Sequence, residues 1–146
     1  MLGHLLIRGI PAYKSYQNFR GYDLIATNPE KGRSCRIQVK SRWATDYDGG
    51  FPVKSFDCEF VVHVALNRGF RYRKRGTAGS GIRAPDYYVL PVAEAKKGQD
   101  PRSEWGKVFL RRIPSAQRYL GNWGLIHRHL GYAAGKRVQE GDSSTH

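Results

Sequence analysis

The sequence predicts a single α/β domain in which a short N-terminal helix leads into a β-sheet with further helices behind it. Three observations point there: a brief apolar stripe at helical spacing near the N-terminus, two later stretches of strict alternation, and turn-forming residues between them. At 146 residues, 40% of them hydrophobic, the chain fits one core. The expected domain spans 1–134, and the polar stretch 135–146 is expected to be a disordered tail.

The elements follow in order. Leu2, Leu5, Leu6 and Ile10 form one helical stripe, which Gly9 and Pro11 end. Residues 12–15 read as a first strand and 21–27 as a second, through Tyr22, Leu24, Ile25 and Ala26. Residues 28–32 are a polar turn. Residues 34–42 then alternate, with Cys35, Ile37 and Val39 on one face and Arg36, Gln38 and Lys40 on the other, so the two strands read as a hairpin.

From Phe56 the alternation resumes, with Cys58, Phe60, Val62, Val64 and Leu66 sharing a face; Val61 and Ala65 make the opposite face apolar too, as in an interior strand. A basic run at 68–75 opens a surface loop reaching Pro85. Residues 87–92 read as a short strand and 92–97 as one or two helical turns. Residues 105–113 read as a late extended segment, Pro114 as the first turn of a helix through Tyr119 and Leu120, and Trp123, Ile126 and Leu130 as a last helix.

Lysine and arginine total 25 against 12 acidic residues, a formal net charge of +13. Such a chain attracts polyanions over long range, and nucleic acid is the default partner; a generally basic surface is the plain alternative. Cys35 and Cys58 are too few for a disulfide framework and read as reduced core residues. No run approaches the roughly 18 apolar residues of a membrane span, so no membrane association and a cytoplasmic address are expected. Phosphate-loop, dinucleotide-binding, zinc-protease and nucleophile-elbow motifs are all missing.

The chemistry lies in Tyr22-Asp23-Leu24-Ile25-Ala26, a turn, then Arg36-Ile37-Gln38-Val39-Lys40-Ser41. A hairpin brings Asp23 near Gln38 and Lys40, which share a strand face because they are two residues apart. Phosphodiester hydrolysis needs such a set: hard oxygen ligands for Mg²⁺, and a cation to orient water or steady developing charge. The plain alternative is a solvated strand face on which Asp23 pairs with Lys40 across the hairpin.

This arrangement over residues 1–92 resembles the PD-(D/E)xK nuclease superfamily, in the variant form D…QxK. The resemblance implies a restriction-endonuclease-like core, a helix followed by a mixed sheet. It also implies Asp23, Gln38 and Lys40 as catalytic residues, with Mg²⁺ or Mn²⁺ held by Asp23, Gln38 and the Val39 carbonyl. Two departures stand out: Gln38 replaces a carboxylate with a neutral amide, and no acidic residue precedes Asp23, where the family's first helix often supplies a glutamate. Glu30, Asp57, Glu59 or a partner subunit are the candidates to replace it.

Arg42 and Trp43 follow the active strand directly and are expected to touch substrate, with capping of the core the equal alternative for Trp43. Arg68, Arg71, Arg73, Lys74 and Arg75, interleaved with Phe70 and Tyr72, suit backbone phosphates and base stacking; a solvated basic loop is the alternative. His63 is expected to be a hydrogen-bonded core histidine. His127 and His129 are expected on the surface, and Trp105 and Trp123 in the core or an interface. The expected function is therefore metal-dependent cleavage of nucleic acid, DNA favoured over RNA, with a nuclease-fold binding subunit of weak or no activity as the alternative. A homodimer fits two-fold duplex cleavage.

Overall fold

The computed structural model describes residues 1–15, 22–45, 50–71 and 79–133. Helix α1 (Leu2–Ile7) precedes strands β1 (Ala12–Lys14), β2 (Leu24–Asn28) and β3 (Arg33–Arg42). Then come β4 (Phe51–Pro52), β5 (Phe60–Ala65), β6 (Asp86–Pro91), α2 (Val92–Lys97), β7 (Lys107–Val108) and α3 (Gly124–His129). The main sheet has five strands in the order β1-β2-β3-β5-β6, and β4 pairs with β7 in a separate two-stranded sheet. All main-sheet pairs are antiparallel except β3 with β5, so the sheet is mixed and the α/β class expected from the sequence is observed.

The β2–β3 hairpin closes through a 3-10 turn, Pro29–Lys31, followed by Gly32 at φ 61°, a left-handed conformation that glycine adopts without strain. Alternation along β3 splits the protein into two cores. Cys35 and Ile37 join Phe60, Val62, Val64, Leu24 and Trp123 on one side of the sheet. On the other, Val61, Tyr88 and Leu90 pack against Phe51, Val108 and Ile113. β5 runs between the two and is buried over Phe60–Val64, the interior strand that its apolar faces require.

Several local expectations differ. Leu6 is 52% exposed, because α1 packs through Leu2, His4 and Leu5 and the chain turns at Gly9 to bury Ile10. β5 begins at Phe60, so Cys58 escapes the predicted alternation and belongs to the opposite core. Pro114 starts no helix: Ser115 takes a left-handed φ of 51°, and only a 3-10 turn, Ala116–Tyr119, follows. Of the two tryptophans expected in the core or an interface, Trp123 is in the core and Trp105 is 63% exposed, which leaves it the interface half of the expectation. Cys35 and Cys58 are buried free thiols, as expected. Among the described residues no helix is long and apolar enough to cross a membrane. The expected tail at 135–146 lies outside the described residues.

Candidate active site

The site forms where β2 leaves β3. Their last paired residues at this end are Leu24 and Ile37. Asp23 keeps one further link, its N–H donating to the Ile37 carbonyl at 2.8 Å, and its Oδ2 accepts the Val39 N–H at 2.8 Å. The Ser15 N–H donates to the Asp23 carbonyl at 3.0 Å, fixing the residue from the β1 side as well. A side chain has taken over a strand partner's role. Because the N–H and C=O of one strand residue point the same way, the Val39 carbonyl also faces the Asp23 side.

The sheet's pleat decides which groups meet. Gln38 and Lys40 share one face of β3. Asp23 is a bend before β2, its N–H bonding to β3 and its carbonyl to β1, so strand alternation stops there and the bond to the Val39 N–H is what holds its carboxylate beside this stretch of β3. Asp23 is exposed, Lys40 half-buried, and Gln38 buried at 7% exposure. Among the described residues the buried Gln38 Oε1 has no hydrogen-bond partner. An unsatisfied buried amide oxygen costs about 1–3 kcal/mol, so it is an acceptor lacking a donor or a cation. Among the described residues neither Asp23 nor Lys40 is in an ion pair, so the cross-hairpin pair of the plain alternative does not form.

His63 lies opposite Lys40 in the β3–β5 register, and its Nδ1 is 3.0 Å from the Lys40 carbonyl. It is 2% exposed, stacks on Phe51 at 4.3 Å, and burial pushes its pKa down to about 4. It is the hydrogen-bonded core histidine expected, and it fixes the backbone of Lys40.

The acids proposed to complete the site are held elsewhere. Glu30 sits in the turn at the far end of the hairpin, on the order of 15 Å along the strand from Asp23. Arg36 binds Asp57 at 2.7 Å and Glu59 at 2.9 Å, and Glu59 Oε2 also accepts the Arg36 N–H. Burial raises the Glu59 carboxyl, but the Arg36 guanidinium and backbone N–H outweigh it and hold it below the usual range. Tyr22, next to Asp23, lies under the same guanidinium at 5.9 Å. Among the described residues no three His, Cys, Asp or Glu converge to hold a metal ion. The available set is one carboxylate, one unpartnered amide oxygen and one carbonyl. These are hard oxygen donors that suit Mg²⁺ or Mn²⁺, with a single formal negative charge between them.

Around this set, Arg42 continues the Lys40 face and is half-buried, while Trp43 is 61% exposed and does not cap the core. Arg68 and Arg71 are exposed; Tyr72, Arg73, Lys74 and Arg75 lie outside the described residues. His127 is no surface residue: its Nε2 is 3.1 Å from the Arg8 carbonyl, joining α3 to α1. His129 is exposed, its ring edge against Phe60. Sequence reasoning missed the Arg36–Glu59 pair and Asn67, a buried residue at φ 53°. Neither carries a motif: the first depends on strand register, and the second on the bonds that its side chain makes to Ala84 and Asp86.

Neither a family model nor a curated protein matches this sequence. Among solved structures the chain is similar to the bacterial homing endonuclease I-Ssp6803I, with a TM-score of 0.50 and 20% sequence identity over 87% of this chain and 84% of that one. The likeness extends over most of both chains, so the chain has a nuclease-like α/β fold.

Proposed function

We propose that this protein is a metal-dependent endonuclease of PD-(D/E)xK type, hydrolysing phosphodiester bonds in nucleic acid, DNA in preference to RNA. The observation that carries the reading is the buried Gln38 Oε1, without a hydrogen-bond partner among the described residues, on the strand face of Lys40 and next in sequence to Val39, whose N–H holds the Asp23 carboxylate. In a purely structural strand that atom costs stability and returns nothing; beside a cation it becomes a ligand. The fold of a homing endonuclease and the net charge of +13 support a nucleic-acid substrate.

In this reading Asp23, Gln38 Oε1 and the Val39 carbonyl hold Mg²⁺ or Mn²⁺. The ion supplies Lewis-acid polarisation of a phosphoryl oxygen and lowers the pKa of bound water. Lys40, with no carboxylate to neutralise it among the described residues, orients the attacking water and offsets charge developing on the phosphate. Asp23 Oδ2 stays tethered to Val39, so the carboxylate is oriented before metal arrives.

A second reading has its own observation. Asp57 and Glu59 are occupied by Arg36 and Gln38 contributes no charge, which suits a nucleic-acid-binding subunit of weak activity. Plasmid and oligonucleotide duplexes incubated in Mg²⁺ or Mn²⁺ separate the two. Cleavage by the native protein that is lost in Asp23→Ala and Lys40→Ala supports the enzyme. Cleavage surviving both substitutions moves the chemistry elsewhere, and salt-sensitive binding without cleavage favours the binding subunit.

A further inference from the structure

Beyond the ends of β3 and β5 the chain builds a second, smaller feature, which no step of the proposed chemistry uses. Residues 67–71 and 79–83 form an antiparallel ribbon: Arg68 bridges to Ile82, the Phe70 N–H donates to the Ser80 carbonyl at 2.9 Å, and the Arg83 N–H donates to the Asn67 carbonyl at 3.0 Å. Residues 43–45, after β3, brace its base. The Arg68 N–H donates to the Trp43 carbonyl at 2.9 Å, the Thr45 N–H to the Gly69 carbonyl at 2.8 Å, and the Gly69 N–H to Thr45 Oγ1 at 2.9 Å.

The root is over-determined. Asn67, 2% exposed and left-handed, donates through Nδ2 to the Ala84 carbonyl at 2.9 Å and to Asp86 Oδ2 at 3.1 Å, and Asp86 also binds Arg83 at 2.6 Å. A strained non-glycine residue persists where its surroundings fix it, and such residues concentrate at functional sites. Higher up, the Phe70 ring lies where a Gly81 Cβ would fall, 2.7 Å away, so glycine is the residue that lets the ring lie flat on the backbone. The side chains presented are of two kinds: exposed cations, Arg68 and Arg71, and exposed apolar groups, Trp43 at 61%, Ile82 at 59% and Phe70 at 37%.

We propose that this ribbon is a sequence-reading arm that enters the major groove of duplex DNA beside the phosphate held at Lys40; the inference rests on the nuclease reading above. Arg42 is the last residue of β3, and its carbonyl accepts the Leu66 N–H at 2.8 Å, one residue before the ribbon begins. The arm therefore starts on the order of 10 Å beyond Lys40, within one groove width of a bound backbone. A two-stranded ribbon fits the roughly 12 Å major groove of B-DNA, whereas the deep, narrow major groove of an RNA duplex excludes it. Arginines reach guanine edges or phosphates there, and apolar groups meet thymine methyls.

The test is selection from a random duplex pool by the full chain without divalent cation, followed by sequencing. The native protein is expected to enrich a motif. Arg68→Gln and Arg71→Gln, exposed positions whose change leaves both cores intact, are expected to flatten adjacent motif positions by roughly tenfold or more while keeping general affinity for duplex. Asp23→Ala is expected to keep the motif. The same motif from the arginine variants, no motif from the native protein, or a preference for single strands overturns the arm. A motif that depends on the arginines without cleavage in Mg²⁺ leaves the arm standing and removes the nuclease reading instead.

Discussion

Asp23 Oδ2 accepts the backbone N–H of Val39 at 2.8 Å, so the carboxylate occupies the place that a neighbouring strand's carbonyl would take. The link spans the point where β2 stops pairing and leaves Val39 open on that side. Asp23→Asn keeps the size and an acceptor oxygen but removes the charge. Its expected outcome is a fold of nearly unchanged melting temperature with cleavage lost, whereas Asp23→Ala loses both the tether, worth about 1 kcal/mol, and activity. Thermal melts paired with plasmid nicking check both.

Gln38 sets stability against function. Gln38→Met removes the unsatisfied Oε1 and fills the same space, so the fold is expected to gain about 1 kcal/mol, or roughly 2–4 °C for a chain of this size, while cleavage falls. Gln38→Glu adds a second carboxylate and is expected to reduce the Mg²⁺ concentration needed for half-maximal cleavage. A Met variant that melts lower than the native protein contradicts the orphaned oxygen.

His63 makes stability depend on pH. Its folded pKa is depressed from 6.5 to about 4 by burial, so the folded state excludes a proton that the unfolded chain binds. The contribution is intact above pH 6.5 and is lost progressively as pH falls from 6.5 towards 4, on the order of 3 kcal/mol in total. Urea unfolding between pH 4 and 7 is expected to show this slope in the native protein and a shallower one in His63→Phe.

Asn67 anchors the ribbon through conformation and bonding together. Asn67→Ala is expected to cost about 2–3 kcal/mol, from the left-handed φ and two lost hydrogen bonds, and Asn67→Gly about 1 kcal/mol less because glycine carries no steric penalty there. Equal destabilisation by the two substitutions, read from urea midpoints, would remove backbone strain from the account.

The thiols report folding. Burial, with the Glu59 charge adding to it, pushes Cys35 up to about 12 and Cys58 up to about 11. Both are expected to resist alkylation at pH 8 until the chain unfolds, so thiol labelling over a denaturant series should follow the unfolding curve.

Alternation made the centre of the fold legible. The two faces of β3 and the apolar run of β5 separate the cores as their sequences imply, because burial acts on every second residue. The β2–β3 hairpin was equally readable, since a short polar turn leaves one register, and it brings Asp23 to β3 through the Val39 N–H. What stayed hidden depends on residues distant in sequence. The two-stranded β4–β7 sheet is too short to show periodicity, and the Arg36–Glu59 pair exists only because parallel pairing puts Glu59 beside Arg36. Leu6 reads as part of the helical stripe by hydrophobicity, yet is 52% exposed.

A crystal soaked in Mn²⁺ and measured for anomalous scattering tests the central claim most directly. A peak is expected beside Asp23, within coordination reach of Gln38 Oε1 and the Val39 carbonyl, that disappears in Asp23→Ala. Well-ordered density there with no peak, or one ion bound only at another site, would contradict it.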